Sequence, residues 1–399
     1  MGPEAAAFQD ERQRTGAEIL DFGRIHFNFS MHDRLASGSD NWPLTWADDG
    51  HQYTTWGDGG GFGGTNRDGR VSLGVARVEG TATSYRGVNV SDVGGLQGKS
   101  YGIASVDGVL WMWVSPRSNV WNWDETRLYR SNDKGRTWTA TNVVFDGRRD
   151  GIAIPSFVQF GRDYSLAPDG YVYVYATNFY QREWAVQVPG EIVLLRGRRT
   201  SLGDPRSWQF FAGLNSQGQP TWSSDSSRRK PVFRDWNGIM HTSAMWNPGL
   251  GRFLLTMSHS QASAGNVSIF EANQLWGLWR PVMYEWGWGR PYLEPNTFYW
   301  NFSPKWLSPD GRSFAMIFTG MDENDSWNLV LGVFNLTAPM KTGGQWRDAA
   351  SELIEGLGDG VEGAAGTIDS LLENVDGAAG VTDTTASAET ADTIAAAAK

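Results

Sequence analysis

A repeated strand–turn–strand pattern runs along most of the chain. An apolar stretch enters a turn built on Asp-Gly or an equivalent glycine, and a second apolar stretch rich in aromatic residues follows. In residues 171–175 Tyr and Val alternate directly after Asp169-Gly170, with the period of two that a pleated strand imposes. The paired stretches are 44–50 with 52–57, 101–108 with 109–114, the stretch ending at 168–170 with 171–175, 241–247 with 253–257, and 303–307 with 314–318. The pattern predicts five antiparallel hairpins.

Each hairpin is followed by a candidate third strand. These strands cover residues 72–78, 127–130, 191–195, 267–271 and 329–334. The first four units leave room for a fourth strand, and in the fifth unit residues 24–29 (RIHFNF) are available from the other end of the chain. Repeated units of four antiparallel strands are typical of a propeller. We therefore predict an all-β, five-bladed β-propeller over residues 21–338, with six or seven blades as the alternative if 213–236 or 285–300 is split.

The composition changes after the predicted propeller. Residues 339–381 are rich in Ala, Gly and acidic residues, and their apolar positions alternate at spacings of three and four, as in a heptad seam. The glycines among them oppose a helix. A partly helical segment that associates through residues 350–378, either with itself or with an assembly partner, and a flexible linker both stay open. Residues 1–20 are predicted to be an N-terminal extension, and 382–399 a flexible tail.

Composition and charge exclude several classes of function. The chain of 399 residues has 21 Trp and 49 Gly, which favours an all-β protein with many turns, and its net charge of −10 provides no general field for nucleic acid. It has no Cys, and therefore no disulfide, thiolate metal site or cysteine nucleophile. We find no apolar membrane span, no signal peptide in residues 1–20, no metal-ligand spacing and no cofactor motif. We predict an extracellular or particle-associated protein without metal or cofactor.

Two local motifs stand out. Residues 131–138 (SNDKGRTW) fit the Asp-box pattern S-x-D-x-G-x-T-W of sialidase-type propellers, in which Asp binds turn amides, Gly takes a positive φ and Trp packs beneath the hairpin. This motif indicates a fold and not a reaction. The glycine-rich run 58–64 lacks the Lys-Ser/Thr of a phosphate-binding loop, and we predict a flexible loop there.

The stretches 39–64 and 72–80, together with the Asp-box, resemble a bacterial propeller family that includes ulvan-lyase-like polysaccharide lyases. The resemblance implies β-elimination on uronate-containing glycans, with Tyr or His as base and cations that stabilise the intermediate. It points to Tyr164, His241 and Arg182 as catalytic residues. The predicted substrate-binding residues are His51, Arg162, Asp163 and Trp246. Lys99 to Tyr101 stand where the family pattern leads us to expect histidine.

Two other functions stay open. A glycoside hydrolase needs two carboxyl groups facing each other across the sugar, and Asp40, Asp150, Asp163 and Glu183 are candidates near inner strands. A non-catalytic glycan-binding or structural protein of a larger assembly, such as a phage virion, would combine a propeller with an associating tail. In each case the predicted partner is a polysaccharide or surface glycan.

Overall fold

In the computed structural model, residues 22–91, 97–115, 125–181, 185–321 and 325–336 are described. They form a compact unit that spans Phe22–Leu336 and consists of β-strands joined by turns, which confirms the all-β prediction. No helix among the described residues is long and apolar enough to cross a membrane. The predictions for residues 1–20, 339–381 and 382–399 concern segments outside the described residues.

The described strands are short and follow one another closely. In chain order they are β1 (Phe22–Leu35), β2 (Leu44–Trp46), β3 (Gln52–Gly57), β4 (Leu73–Thr81), β5 (Ser84–Ser91), β6 (Lys99–Val106), β7 (Val109–Ser115), β8 (Glu125–Ser131), β9 (Thr139–Asp146), β10 (Ile152–Gln159), β11 (Tyr171–Asn178), β12 (Gly190–Arg198), β13 (Trp208–Leu214), β14 (Pro220–Ser223), β15 (Pro231–Asp235), β16 (Met240–Asn247), β17 (Arg252–Ser258), β18 (Val267–Ala272), β19 (Arg280–Glu285), β20 (Phe298–Leu307), β21 (Ser313–Thr319) and β22 (Trp327–Leu336). One helical turn, α1 (Gly147–Asp150), and 3-10 turns at Arg162–Tyr164, Arg199–Ser201, Pro205–Ser207 and Ser226–Arg228 lie between them.

The strands group into five antiparallel units. The first unit is β2–β3–β4–β5 and the second is β6–β7–β8–β9. The third is β10–β11–β12–β13, extended by β14 and by β15, which pairs with β12. The fourth is β16–β17–β18–β19, and the fifth is β20–β21–β22 completed by β1. Splitting residues 213–236 or 285–300 would raise the blade count. In the described residues, neither segment forms a four-stranded sheet of its own.

The fifth unit takes its last strand from the N-terminal side of the chain, as predicted. β1 pairs antiparallel with β22, with Ile25 opposite Phe334 and Phe27 opposite Gly332. Phe27 is buried between Trp288 and Phe314, so the strand also contributes to packing. The pairing covers an edge of β22 that would otherwise expose its amides.

The first strands of the units contact one another in the order β2, β6, β10, β16, β20 and back to β2. β10 and β16 pair in parallel through Val158–Ala244 and Gln159–Met245. The rings of Tyr101, His241 and Tyr299, from the second, fourth and fifth units, lie within 5.7 Å of one another near the beginnings of their strands. These five first strands, here called the inner strands, therefore all begin at one end of the compact unit Phe22–Leu336, here called the start face. They end in turns at the opposite end, here called the turn face.

A backbone irregularity repeats at the start face. Asn41, Ile154, His241 and Tyr299 have φ between 51° and 58°, and the last three coincide with register shifts in β10, β16 and β20. A positive φ is costly for a β-branched or bulky residue and persists only where the surroundings hold it in place. The repeated bulge therefore marks the end of the strands where backbone strain is concentrated.

Aromatic pairs join neighbouring units. Trp42 and Trp327 meet edge to face at 5.3 Å between the first and fifth units, and Trp113 and Trp208 do so at 5.3 Å between the second and third. Such pairs bury large apolar areas and add roughly 0.5–1.5 kcal/mol beyond that burial. This packing, rather than sugar contact, is the role of these tryptophans.

Candidate functional site

A cluster of four charged side chains lies on the start face of the first two units. Asp40 forms an isolated bridge with Gly57 just before β2, and Lys99 is the first residue of β6. The Lys99 Nζ lies 2.8 Å from Asp58 Oδ1 and 3.9 Å from Asp40 Oδ1. Arg70 Nη2 lies 3.4 Å from the same Asp58 oxygen. We call these four residues the Asp40 cluster.

Asp40 occupies the most enclosed position in the cluster. Its side chain is 17% exposed, and its Oδ1 accepts a 2.7 Å hydrogen bond from Asn41 Nδ2. Burial raises the pKa of the Asp40 carboxyl to about 6, although the Lys99 ammonium acts in the opposite direction. The charge of Asp58 raises it further. A carboxyl group with this pKa is protonated for part of the time near neutral pH and can donate a proton.

Gly57 leaves the room in which the Asp40–Lys99 pair fits. A Cβ at this position would collide with Asp40 Oδ1 and would lie 2.8 Å from Lys99 Nζ. Real Cβ atoms do not approach other atoms so closely. The glycine therefore allows these two side chains to approach as they do, and its φ does not call for a glycine.

Hydrogen bonds tie down the glycine-rich run that carries Asp58, in contrast to the predicted flexible loop. Gly61 N donates to Ser39 Oγ at 2.9 Å, and Phe62 N donates to Asn89 Oδ1 at 2.9 Å. The Asn89 Nδ2 in turn donates to Gly60 O at 2.8 Å. Because the loop backbone is bound on both sides, Asp58 is held in place next to Lys99.

A second carboxylate on the start face is fully engaged. Glu191 accepts hydrogen bonds from Asn178 Nδ2 at 2.8 Å, from Arg234 Nε at 2.8 Å and from the Tyr180 hydroxyl. These donors outweigh burial and hold the pKa of Glu191 below its ordinary value. Glu191 therefore stays ionised and serves to position Arg234.

Tyr164, the predicted base, lies on the turn face and is buried. It follows the end of β10, and its hydroxyl oxygen accepts a 2.8 Å hydrogen bond from Tyr173 N. Burial raises the pKa of the Tyr164 hydroxyl well above its ordinary value. His241 lies near the beginning of β16, which runs parallel to β10, so the structure does not bring these two predicted catalytic residues together.

His241 is fully buried among aromatic rings. Its Nδ1 lies 3.3 Å from Ser258 Oγ, and the rings of Tyr101 and Phe298 are 5.4 Å and 5.2 Å from its own. Burial lowers the pKa of His241 to about 3, so the imidazole is neutral at physiological pH. It is a packing residue at the centre of the start face, and it is less exposed than the side chains of the Asp40 cluster.

The predicted substrate-binding residues gather at the turn face. Asp163 accepts hydrogen bonds from Ser105 Oγ at 2.7 Å and from Gly108 N at 3.0 Å, which join the third unit to the second. Arg162 donates to the Asp48 carbonyl. His51 closes the β2–β3 turn, and Trp246 packs on Phe253 at 4.8 Å near the end of β16. These are contacts within the fold, and the substrate-binding role of the four residues stays a prediction.

The remaining candidates divide between the described and undescribed residues. Arg182 and Glu183 lie outside the described residues. Asp150 lies at the start face, where its Oδ2 accepts from Asp146 N at 2.8 Å and pairs with Arg149. No group of three or more His, Cys, Asp or Glu side chains suited to a metal ion occurs in the described part of the chain.

Sequence reasoning named Asp40 as one hydrolase acid among four and noted Lys99 as a departure from the family pattern. It missed Asp58 and Arg70. The available signal was the position of Asp58, directly after an apolar strand and before a glycine run, because loops at strand ends carry functional residues. Nothing in the sequence shows that Lys99 lies between the two carboxylates.

A family model described as "Domain of unknown function (DUF4185)" matches residues 102–323, more than half of the chain. The chain belongs to the DUF4185 family. The description of this family names no ulvan lyase, so the resemblance to ulvan-lyase-like enzymes stays a prediction. No curated protein matches this DUF4185 sequence.

Several solved structures are similar to this DUF4185 protein. A family 117 glycoside hydrolase, Zg3597, from Zobellia galactanivorans shares 10% identity over 82% of this chain and 98% of its own, with a TM-score of 0.45. The RS223 β-xylosidase shares 10% over 75% and 94%, with a TM-score of 0.44. A GH43_1 enzyme from Xanthomonas citri shares 12% over 73% and 87%, with a TM-score of 0.43. At these identities and TM-scores, the similar structures do not indicate whether this chain catalyses a reaction, or which one.

Proposed function

We propose that the five units form a five-bladed propeller whose start face binds carbohydrate, and that the Asp40 cluster hydrolyses glycosidic bonds. The observation that carries this proposal is the Asp40 carboxyl, with a pKa of about 6, beside an Asp58 carboxylate that is paired with two cations. Glycoside hydrolysis needs one carboxyl group that donates a proton and a second that acts as base or nucleophile.

The geometry of the cluster fits this division of roles. Asp40 and Asp58 each have an oxygen within 4 Å of Lys99 Nζ, so these two oxygens lie no more than about 7 Å apart, an upper bound that permits the separation of about 5–5.5 Å typical of retaining glycosidases. In Asp40, burial favours the protonated form. Asp58 instead forms ion pairs with Lys99 and Arg70. Two carboxyl groups whose surroundings differ in this way can act as acid and base.

Exposed aromatic side chains on the start face support a carbohydrate ligand. Trp286 is 60% exposed and Tyr180 is 43% exposed, and both follow strands that end at this face. An aromatic ring with one apolar face and one polar tip is suited to a ligand that has both kinds of surface, as a sugar does. The predicted extracellular or particle-associated location, and assembly through residues 350–378, rest on the sequence and stay predictions.

The test is an assay of the full chain on a panel of neutral and uronate-containing polysaccharides. Hydrolysis releases reducing ends without unsaturated product, whereas β-elimination produces an absorbing unsaturated uronate. We expect reducing ends from at least one glycan, and a loss of about 10²–10⁴-fold in kcat/KM in Asp40→Asn. The matched control is Asp169→Asn, a turn-face carboxylate that bonds Tyr173.

Each other outcome contradicts a stated part of the proposal. Unsaturated product would replace hydrolysis by elimination. Binding without cleavage would support a lectin-like or structural role. Full activity in Asp40→Asn would remove the Asp40 cluster from the reaction, and the absence of both binding and cleavage would contradict a carbohydrate ligand.

A further inference from the structure

A groove of about 500 Å³, here called the side groove, runs between the third and fourth units. One wall is β15 and the residues that follow it, and the other is formed by β18, β19 and their connection. Its aromatic lining consists of Phe233, Trp236, Phe270, Trp276, Trp279 and Tyr284. Its volume lies in the range of small-molecule sites. Asp40 and Lys99 belong to the first and second units, so the side groove is separate from the Asp40 cluster.

The Trp236 ring is exposed at the start-face end of the side groove, and a neighbouring side chain holds it in one orientation. Its side chain is 72% exposed, while the Arg234 guanidinium lies 5.0 Å from the ring centroid. Arg234 is itself fixed by its ion pair with Glu191. An indole that is held before a ligand arrives loses little conformational entropy on binding. Large exposed apolar side chains that form part of a patch indicate a binding surface.

Fixed polar groups lie beside the Trp236 ring. The Tyr284 hydroxyl donates to Asp235 Oδ2 at 2.9 Å and accepts from Asn237 Nδ2 at 2.8 Å. His259 stacks on the Tyr284 ring at 4.1 Å, and Asn237 N donates to Asp235 Oδ1 at 2.9 Å. Apolar aromatic walls with a few preset hydrogen-bonding groups match a pyranose, which has an apolar face of C–H groups and an equator of hydroxyls.

The charges around the side groove select a neutral ligand. The Arg234 charge is balanced by Glu191, whose Oε1 lies 2.8 Å from Arg234 Nε. Among the described residues, the side-chain hydrogen bonds of Asp235 come from neutral donors, Tyr284 and Asn237. A uronate or sulfate group would therefore meet net negative charge here.

We infer that the side groove binds a neutral oligosaccharide through stacking on Trp236 and hydrogen bonds to Asp235, Asn237 and Tyr284. The inference rests on the proposal that this protein acts on carbohydrate. It adds a second site, on different units from the Asp40 cluster, that holds a polysaccharide chain without cleaving it.

The test uses the full chain carrying Asp40→Asn, so that no ligand is cleaved, and measures binding by titration calorimetry. The probes are β-1,4-linked hexasaccharides of glucose, xylose and mannose, with a galacturonate hexasaccharide as the anionic arm. We expect at least one neutral probe to bind, and the galacturonate probe to bind at least tenfold more weakly. Adding Trp236→Ala to this protein should weaken the binding of the neutral probe by about 10- to 100-fold, which is the effect of removing a central aromatic anchor.

The matched control is Tyr292→Ala, which removes an aromatic side chain of nearly equal exposure, 71%, outside the side groove. It should leave affinity within twofold of the parent. Equal affinity in the Trp236→Ala and parent proteins, stronger binding of the galacturonate probe, or no binding of any neutral probe would each overturn the inference. Thermal unfolding of each variant distinguishes lost contact from lost fold.

The two proposals fail in different ways. If Trp236→Ala binds normally while the Asp40-containing protein still cleaves glycan, the side groove inference is wrong and the proposed function stands. If a neutral probe binds in a Trp236-dependent manner and no glycan is cleaved, the side groove is a binding site of a non-catalytic protein.

Discussion

The turn face and the start face both carry aspartate side chains, but the hydrogen bonds to these side chains and their pKa values differ between the two faces. On the turn face, Asp163 bonds Ser105 and Gly108, and Asp133 accepts from Thr137 N at 2.9 Å and from Thr137 Oγ1 at 2.6 Å. The Thr137 hydroxyl and the other donors lower the pKa of Asp133 to about 2. On the start face, Asp40 has a single side-chain amide donor and a more distant cation, and its pKa rises to about 6.

The difference separates carboxylates that stabilise the fold from those available for chemistry. A carboxylate that accepts several hydrogen bonds is held in its charged form and is a poor proton donor. A carboxyl group that burial keeps partly protonated is destabilising and persists where function needs it. In this protein the residue type is uninformative and the hydrogen-bond donors are decisive, since Glu191 on the start face is engaged by several donors and Asp40 on the same face is not.

The largest expected effect is a pH dependence of opposite sign on the two faces. As the pH rises from about 4 to about 6, unfolded Asp40 loses its proton before the folded residue does, so stability falls and stays lower above that range. Asp40→Asn should therefore be more stable than wild type by about 3 kcal/mol at neutral pH, and this gain should disappear as the pH falls below the ordinary Asp pKa of about 4.

For Asp133 the sign is reversed. Its folded pKa lies below the ordinary value, so its contribution is present at neutral pH and is lost as the pH falls toward 2. Asp133→Asn should destabilise at neutral pH and not at the acid end. Denaturant unfolding of both variants and wild type across this range measures the effects, and curves of the same sign would refute the contrast.

The next effect concerns a matched pair of glycines. Gly57→Ala would push a Cβ into the Asp40–Lys99 pair, and we expect kcat/KM on a cleaved glycan to fall about 100-fold, as for an ångström-scale displacement of a reacting group. Gly108→Ala, at φ +79° on the turn face with only an ordinary van der Waals contact of 3.5 Å between its Cβ and Asp48 Oδ2, should lower stability and leave kcat/KM unchanged. Similar kinetic losses in both variants would show that the effect is not specific to the start face.

A smaller effect is expected at Asp163. Asp163→Asn weakens the charge-assisted bonds to Ser105 and Gly108 and should cost about 2 kcal/mol in the free energy of unfolding. Glycan cleavage should be unchanged, as measured by steady-state kinetics. A rise in KM without a loss of stability would instead support the substrate-binding role predicted from the sequence.

The smallest effect is expected for Tyr164→Phe. The substitution removes the hydroxyl that accepts from Tyr173 N and should cost about 1 kcal/mol of stability with no change in activity. Thermal unfolding and the cleavage assay measure the two quantities separately. A loss of activity larger than about tenfold at unchanged stability would restore Tyr164 as a catalytic candidate.

The strands could be predicted from sequence because their signals are local. The alternation in 171–175 and the turn at Asp169-Gly170 specify the β10–β11 hairpin and the start of β11, and the prediction of 52–57 coincides with β3. The partner of residues 24–29 could be predicted because the fifth unit lacked a strand. Each inference used a period or a turn residue that the chain itself displays.

The Asp40 cluster could not be predicted in the same way, because its geometry depends on how units meet. Lys99 reaches Asp40 only after the first and second units are placed side by side. The positive φ of Ile154 and Tyr299 gives no glycine or asparagine signal, since the surrounding fold and not the residue imposes it. Tyr164 and His241 were chosen for their chemistry, which the sequence shows without showing their burial.

The pairing of β1 with β22 also bears on how the chain is made. His26 lies opposite Val333, so β1 must wait for a partner strand that is synthesised far later. Contacts between such distant positions form slowly, since a long loop has to close first. Until then the edge of β1 that β22 will cover is open to other chains, and the nascent protein is most exposed to aggregation in the interval between the synthesis of β1 and that of β22.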